Sequence, residues 1–490
     1  MKKIVLTLTA VMLFVWQGLS FASSSVDALI QKLEDKGILT KQEANQVKGE
    51  IASNEKTSQE ATYKSLAPEW LSGIKISGDF RLRDQVQVRK IPGGSSTQGH
   101  NNFDQNRARI RARLNFEDQI NDKVKIVVGI ATDGGSSRSN NYTLGGSTSA
   151  NKDGITFADS FGKPALILNK AYAVYTPNDK ITMMAGKLDN PIWEPANASF
   201  FWDPDITPEG GSIQVQKKIN DYVTPFAQGA VFDLHDQTPT VTNTTYAATA
   251  SSSGVASTAT VNDGLKTDPY MMVIQGGAKG NLTDQIYYKA GLTWYDINNP
   301  AHATFGQGLG INSTTINLSG ATVLKYNFSN VFVEGLDLGI NDPFGELLPS
   351  PIYVPQIGVF GDFAQNEASG DTQNKAWEMG AYMGNSSLNG WGTWKIQSYF
   401  KVLERDSWLD ILPDDDFYSG DTNTRGWRSQ IDIGLAKNVW FTMSYFHTNV
   451  FKNVTNLGAA TLAAPNGASS VTMSKSAPED LFQMDLNFKF

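Results

Sequence analysis

The sequence has no cysteine. That excludes a disulfide framework, a thiol nucleophile and any thiolate metal site. Histidine is nearly absent as well. The four that exist, His100, His235, His302 and His447, are scattered without metal-ligand spacing. Charged residues make up only 18% of the chain, and 49 acids against 41 bases give a net charge of −8. That balance argues against a nucleic-acid binder. After the first twenty residues there is no apolar run long enough for a membrane helix. A membrane location for the rest of the chain would therefore require a closed β-barrel, in which every backbone group is paired. The 490 residues suffice for two or three ordinary domains or one large β-structure.

The first residues supply a compartment. Lys2 and Lys3 precede the apolar stretch 4–19, and Ser20-Phe21-Ala22 fits a small-residue cleavage site, which predicts a signal peptide over 1–22. Its removal takes Lys2 and Lys3 with it and moves the net charge from −8 to −10. Residues 25–60 read as two short helices. Leu29, Ile30 and Leu33 fall at helical spacing, Gly37 ends the first helix, and Thr40-Lys41-Gln42-Glu43 forms a capping box for the second. Residues 23–62 are too few for a core of their own. They suggest a periplasmic helical or coiled-coil segment and linker, acting as an oligomerisation element, a cell-wall tether or a plug.

From residue 74 the apolar period becomes two. In IKISGDFRLRDQVQV, Ile74, Ile76, Phe80, Leu82, Val86 and Val88 share one face, and Lys75, Asp79, Arg81, Arg83, Gln85 and Gln87 the other. Such a strand is longer than the ~5–6 residues usual in soluble sheets. With this one, sixteen segments of this kind run along the chain, near 74–88, 106–118, 122–133, 165–176, 180–188, 211–219, 223–235, 270–281, 284–297, 330–340, 353–365, 376–385, 391–404, 426–437, 439–450 and 480–490. Their connections alternate short and long, with 341–352 the one long turn on the short side. Short periplasmic turns and long outer loops are the pattern of an outer-membrane barrel. The expected fold is an antiparallel barrel of about 16 strands over 66–490, with both termini periplasmic. Residues 320–328 leave 18 strands open.

The segment NRARIRARLNFE places Arg107, Arg109, Arg111 and Arg113 opposite Ala108, Ile110, Ala112, Leu114 and Phe116. An arginine facing lipid costs ~2–4 kcal/mol near the midplane, so four cost ~8–16, about the stability of a whole domain. The arginines must therefore line the lumen, with Arg81 and Arg83 from the preceding strand. The long loop 189–210 carries Asp189, Glu194, Asp203, Asp205 and Glu209, four prolines, and Phe200-Phe201-Trp202. It is expected to fold inward as a constriction facing the arginines, which would set a transverse field and tune ion selectivity. The plainer alternative is that the arginines pair with acids of adjacent strands and stiffen the wall.

The last strand, LFQMDLNFKF, alternates Phe482, Met484, Leu486, Phe488 and Phe490 with polar residues and ends on a phenylalanine. This resembles the signal read by the barrel assembly machinery. With the helical LIQKLEDKGILTKQEA, the arginine strand and LNFEDQINDKVKIVVGIAT, NKAYAVYTPNDKITMMAGKLDNPIWEP, WDPDITPEGG and FYSGDTNTRGWRSQIDIGLAKNVWFTMSYF, the chain resembles the putative porin family of Gram-negative bacteria. The resemblance implies a barrel in outer-membrane lipid, passive diffusion of ions and small hydrophilic solutes, an inward third loop and a homotrimer. It implies no enzyme activity, cofactor or resident metal. Two further readings stand beside it. The arginine row could select anions such as phosphate, or oligosaccharides. The Ser/Thr/Ala-rich loops 236–269 and 451–479 could make the barrel a surface receptor or adhesin. A Ser–His enzyme lacks support, because Ser444 and His447 point to opposite faces of one strand. Asp414, Asp415 and Asp416 match no calcium loop and read as a solvated turn.

Overall fold

The computed structural model describes residues 73–90, 102–145, 163–234, 245–247, 258–260, 268–298, 313–318, 321–326, 330–345, 353–368, 373–452, 461–462, 471–472 and 478–490. The expected signal peptide and helical segment lie outside these residues. The unit Lys75–Phe490 is built on one closed sheet, with small separate hairpins beside it. Its sixteen long strands are β1 (Ile74–Lys90), β2 (Asn102–Asn121), β3 (Val124–Thr132), β4 (Leu166–Asn178), β5 (Ile181–Lys187), β6 (Glu209–Gln216), β7 (Thr224–Asp233) and β8 (Tyr270–Asn281). They continue with β9 (Ile286–Asn298), β10 (Asn330–Asn341), β11 (Gln356–Asn366), β12 (Lys375–Gly384), β13 (Trp394–Leu403), β14 (Thr424–Ala436), β15 (Val439–Val450) and β16 (Glu479–Lys489). Each pairs antiparallel with its neighbours. β1 closes the barrel on β16 in register from Asp79 opposite Lys489 to Arg89 opposite Glu479. The two-residue strand Tyr142–Thr143 adds to β2 from within a long loop. Ala321–Tyr326, the candidate for an extra wall strand, pairs instead with Ser313–Leu318 in a separate hairpin.

Four of the short turns share one piece of chemistry. Asn121 Oδ1 accepts the amides of Lys123 and Val124 at 3.0 and 3.1 Å. Asn178 does the same for Lys180 and Ile181, and Asn220 for Tyr222 and Val223. Thr283 Oγ1 serves the amides of Gln285 and Ile286. A side-chain acceptor two residues before the turn amides replaces the ladder partners the strands lose as the chain reverses.

The period-two pattern fixes the faces. Ile126, Val128, Ile213, Val215, Leu292, Leu336, Val359 and Met379 are exposed on the outer surface. The lumen face changes character around the barrel. On β1, β2 and β16 it is charged. On the long-loop half of β7 to β12 it is apolar: Ala230, Phe232, Met271, Val273, Tyr295, Val331, Val333, Ala364 and Ala376 are all buried there. What buries them is loop. Residues 188–208 and 404–423 enter the lumen and pack Phe200, Phe201, Trp202, Trp408, Leu409 and Leu412 against that wall. Phe201 stacks on Trp408 with ring centroids 4.3 Å apart and planes 5° apart, and Tyr295 meets Trp408 edge-on at 4.8 Å. The Trp408 indole also donates to Phe201 O at 2.9 Å. Burying each such aromatic contributes about 2–3 kcal/mol, which offsets the cost of ordering two long loops.

Candidate functional site

The charged wall begins from strand register. β1 and β2 are neighbours, so their alternate residues project Arg81, Arg83, Arg107, Arg109, Arg111 and Arg113 into one patch of lumen. Asp485 lies opposite Arg83 on β16. Arg83 grips it with two parallel bonds, Nε to Oδ1 at 2.8 Å and Nη2 to Oδ2 at 2.9 Å, and turns Nη1 to Asp416 Oδ2 at 2.9 Å. Arg81 reaches Asp485 at 3.6 Å and donates to Asn141 Oδ1. Asp79, on β1, receives Arg111 Nη2 at 2.9 Å and Arg113 Nε at 2.7 Å.

The inward loop completes the network with one residue. Asp205 Oδ1 stands 3.3 Å from both Arg111 Nη1 and Arg113 Nη1, and its Oδ2 accepts the Asn140 amide at 3.1 Å. Arg107 and Arg109 are held by neutral groups. Gln87 takes the first, at 3.1 Å. Gln85, Ser139 and the Asn141 carbonyl take the second, at 3.2, 3.1 and 3.2 Å. Segment 133–145 is thus the third piece of loop inside the barrel. Its Arg138 donates Nη1 to the carbonyls of Asp410 and Gly420, tying it to 404–423. Gly420 has φ +74°, and a Cβ there would overlap the Arg138 guanidinium.

The other four expected loop acids have separate places. Glu194 lies on the far wall, where its carboxylate accepts the amides of Phe200 and Phe201 at 3.0 and 2.9 Å. Asp203 accepts the amides of Asp205 and Asp415 at 2.8 and 2.9 Å and so joins the two inward loops. Asp189 pairs with Lys170 and receives the Tyr172 hydroxyl at 2.8 Å. Glu209 opens β6 on the outer face, in line with Ile213 and Val215, and pairs with Lys187 at 2.7 Å. Both inward loops hold non-glycine residues at positive φ: Ala196, Asn197 and Ser199 in one, Tyr418, Ser419 and Asn423 in the other. Each such residue costs about 1–2 kcal/mol, so these loop shapes persist only because their surroundings impose them.

Two different electrostatic regimes result. Burial works against Asp205 and Asp416, yet Arg111 and Arg113 beside the first, and Arg83 and Arg109 beside the second, hold both carboxyls below the usual range. Burial pushes Glu194 up to about 7. Burial and the neighbouring Asp416 push Asp415 up to about 7, and burial alone is the main cause at Asp421, also about 7. Asp203 is raised by burial and by Asp415 and Asp414. One carboxylate oxygen from each of Asp203, Asp414 and Asp415 falls within 4.8 Å of the others, a spacing at which hard cations are ligated. Backbone amides already use both Asp203 oxygens.

The far wall is less well paired. Glu378 stands between Asp362 and Lys401 in cross-strand register, and neither of its buried oxygens has a hydrogen-bond partner among the described residues. Lys401, fully buried, donates to Ser199 O at 2.8 Å and lies 4.5 Å from the Phe417 ring centre. A cavity of about 10 Å³, room for one water, lies between Glu194, Asp362, Gln275, Thr293 and Tyr295.

Sequence reasoning missed Asp79, Asp485 and Ser139-Asn140-Asn141, and it left Asp416 in solvent. The signal for the 404–423 segment was present: Trp408, Leu409, Ile411, Leu412, Phe417 and Tyr418 are an unusual apolar content for an outer loop.

The model of the putative porin family matches residues 94–304 and 351–490. Among solved structures the chain is similar to a quintuple mutant of Rh. blastica porin, at 12% identity and a TM-score of 0.36, covering 85% of this chain and 100% of that one. It is also similar to a triple mutant of Rhodopseudomonas blastica porin, at 10% identity and a TM-score of 0.35 with the same coverage. Nothing in this likeness bears on the pore. No curated protein matches.

Proposed function

Since the chain belongs to the putative porin family, we propose that its barrel is an outer-membrane diffusion channel for ions and small hydrophilic solutes, narrowed by the three inward segments. In this reading residues 1–22 are removed on export, 23–62 stay in the periplasm with both termini, and 66–490 form the channel, with Phe490 as its assembly signal. The observation that supports it best is the bridge from the inward loop to the wall. Asp205 touches Arg111 and Arg113 inside a closed barrel, so the loop is fixed at the charged side of the lumen. Arg81, Arg83, Arg107 and Arg109 then bias the remaining passage, with Asp79, Asp416 and Asp485 as counter-charges. Arg107 and Arg109 have no carboxylate at salt-bridge distance among the described residues, which favours anions at that point. The test is single-channel recording in planar bilayers under a salt gradient. Stable ohmic steps with an anion-directed reversal potential are expected. A folded barrel without conductance would overturn the channel reading and leave the surface-receptor alternative.

A further inference from the structure

A second group of cations faces the lumen far from the arginines and has no role so far. Lys279 on β8 and Lys289 on β9 stand directly opposite each other in the ladder. Like charges at such a position repel, and sheets normally avoid them. Elsewhere near this end Lys125 pairs with Glu117 and Lys170 with Asp189, while Lys395 stands opposite Asp432 in the ladder and over the Tyr382 ring. Among the described residues, Lys279 and Lys289 have no carboxylate at salt-bridge distance. Asp337 faces Lys289 from β10, but its carboxylate receives the Tyr382 hydroxyl at 2.7 Å.

The lysine pair is backed by an aromatic corner. Lys289 Nζ lies 4.5 Å from the Trp193 ring centre and 5.1 Å from that of Phe226, and the two rings meet edge-on at 6.3 Å. Trp193 comes from the inward loop and is fixed there. Its amide donates to Gln275 Oε1 at 3.1 Å and its carbonyl accepts from Gln275 Nε2 at 2.9 Å. The wall makes room for it at Gly291, where a Cβ would come within 3.2 Å of the indole. Lys279 is exposed, while Lys289, Trp193 and Phe226 are half-buried. The corner therefore opens to the lumen on the short-turn side of the loop.

We propose that Lys279 and Lys289, backed by Trp193 and Phe226, form a station for small oxyanions, carboxylate or phosphate, below the inward loop. Two ammonium groups converging on one oxyanion relieve their mutual repulsion and make charge-assisted bonds. The aromatic corner offers an apolar surface to whatever the anion carries, so a ring-bearing carboxylate fits it better than a bare one. The station deepens the channel reading and rests on it for its role in permeation, though not for binding itself.

Calorimetric titration of the full-length protein in micelles with benzoate, acetate and inorganic phosphate tests it. The expected order is benzoate tighter than acetate, and the Lys279→Gln/Lys289→Gln variant should bind each oxyanion about tenfold more weakly. Lys218→Gln, in an exposed turn, should change nothing. The same anions added to the short-turn side of a bilayer should reduce single-channel current in the native protein and less in the variant. Equal binding by the native protein and the variant, or no binding by either, overturns the proposal. A protein that binds these anions without conducting overturns the channel reading and leaves the station standing. Phosphate binding without benzoate preference removes the aromatic corner from the site and assigns the station to phosphate.

Discussion

The two inner walls of the barrel solve the same problem in opposite ways. Both must hold a loop that has left the outside for the lumen. On β1, β2 and β16 the hold is ionic: Asp205 on Arg111 and Arg113, Asp416 on Arg83, Asp485 beneath them. On β7 to β12 it is apolar, through Phe200, Phe201, Trp202 and Trp408. In the proposed channel, the ionic side would set the potential along the path. The apolar side supplies the docking energy. Ion pairs gain modestly once desolvation is counted, whereas large buried aromatics contribute several kcal/mol each. One loop can therefore be firmly seated by one wall and electrostatically tuned by the other.

Breaking the apolar side should have the largest effect. Trp408→Ala removes a fully buried ring that touches Phe201, Trp202 and Tyr295 and is expected to cost about 3–5 kcal/mol of loop docking. Conductance should rise, and limited proteolysis should newly cut 188–208 or 404–423. An unchanged cleavage pattern would mean that the aromatic stack does not hold the loops.

Breaking the ionic side should change selectivity more than shape. Asp205→Asn leaves Arg111 and Arg113 with Asp79 alone, so the reversal potential should move toward anions at nearly constant conductance. A large change in conductance with no shift in reversal potential would reverse the division of labour between the walls.

Acidity acts on the loop carboxyls with both signs. Burial raises Glu194 to about 7, so its folded form keeps a proton that the undocked loop has lost. Docking therefore strengthens as pH falls from about 7 toward the ordinary carboxylate value of 4.5. Asp205 and Asp416 are lowered by their arginines, so their contribution is complete above the usual carboxylate range and is lost only as pH falls below it. Open-channel noise should decrease between pH 7.5 and 5, and Glu194→Gln should remove part of that dependence, the rest coming from Asp415 and Asp421, which burial also raises to about 7. Increasing noise over the same window would contradict the burial of Glu194.

The smallest effect is expected at Glu209→Gln. This carboxylate sits on the outer face and pairs only with a half-exposed lysine. Surface pairs of that kind contribute little, so reversal potential, conductance and protease pattern should stay as in the native protein.

Much of the architecture is legible without coordinates. The period of two in β1 and β2, combined with the cost of arginine in lipid, assigns each residue to lipid or lumen. The alternation of loop lengths gives about sixteen strands and leaves eighteen open, a choice decided only by the separate hairpin of Ser313–Leu318 and Ala321–Tyr326. The inward turn of loop 189–210 is expected from its acids opposite the arginines, with Phe200-Phe201-Trp202 as its anchors on the wall. What the residues do not give is who meets whom. Asp205 and Glu194 are eleven positions apart in one acidic loop and look alike, yet they dock on opposite walls. Trp408 finds Phe201 only because two loops enter one space, and no local pattern encodes a contact at 207 residues' separation. The Asp79 pairing was hidden for another reason. Asp79 sits in the same wet face as Arg81 and Arg83, and which arginines it takes depends on the stagger between β1 and β2.

The closing seam has a consequence in time. Phe490 bonds its own amide and carbonyl to Gly78, at 3.0 and 2.9 Å. The Arg83–Asp485 clamp joins positions 402 residues apart. A chain made from its amino end must wait until Asp485 and Phe490 have been added before these contacts can form. Until then it carries two bare strand edges, each able to pair with a neighbouring chain. Pairings of such sequence separation are also the slowest to form unaided. A nascent molecule of this design is thus exposed to wrong pairings until its two closing strands have met.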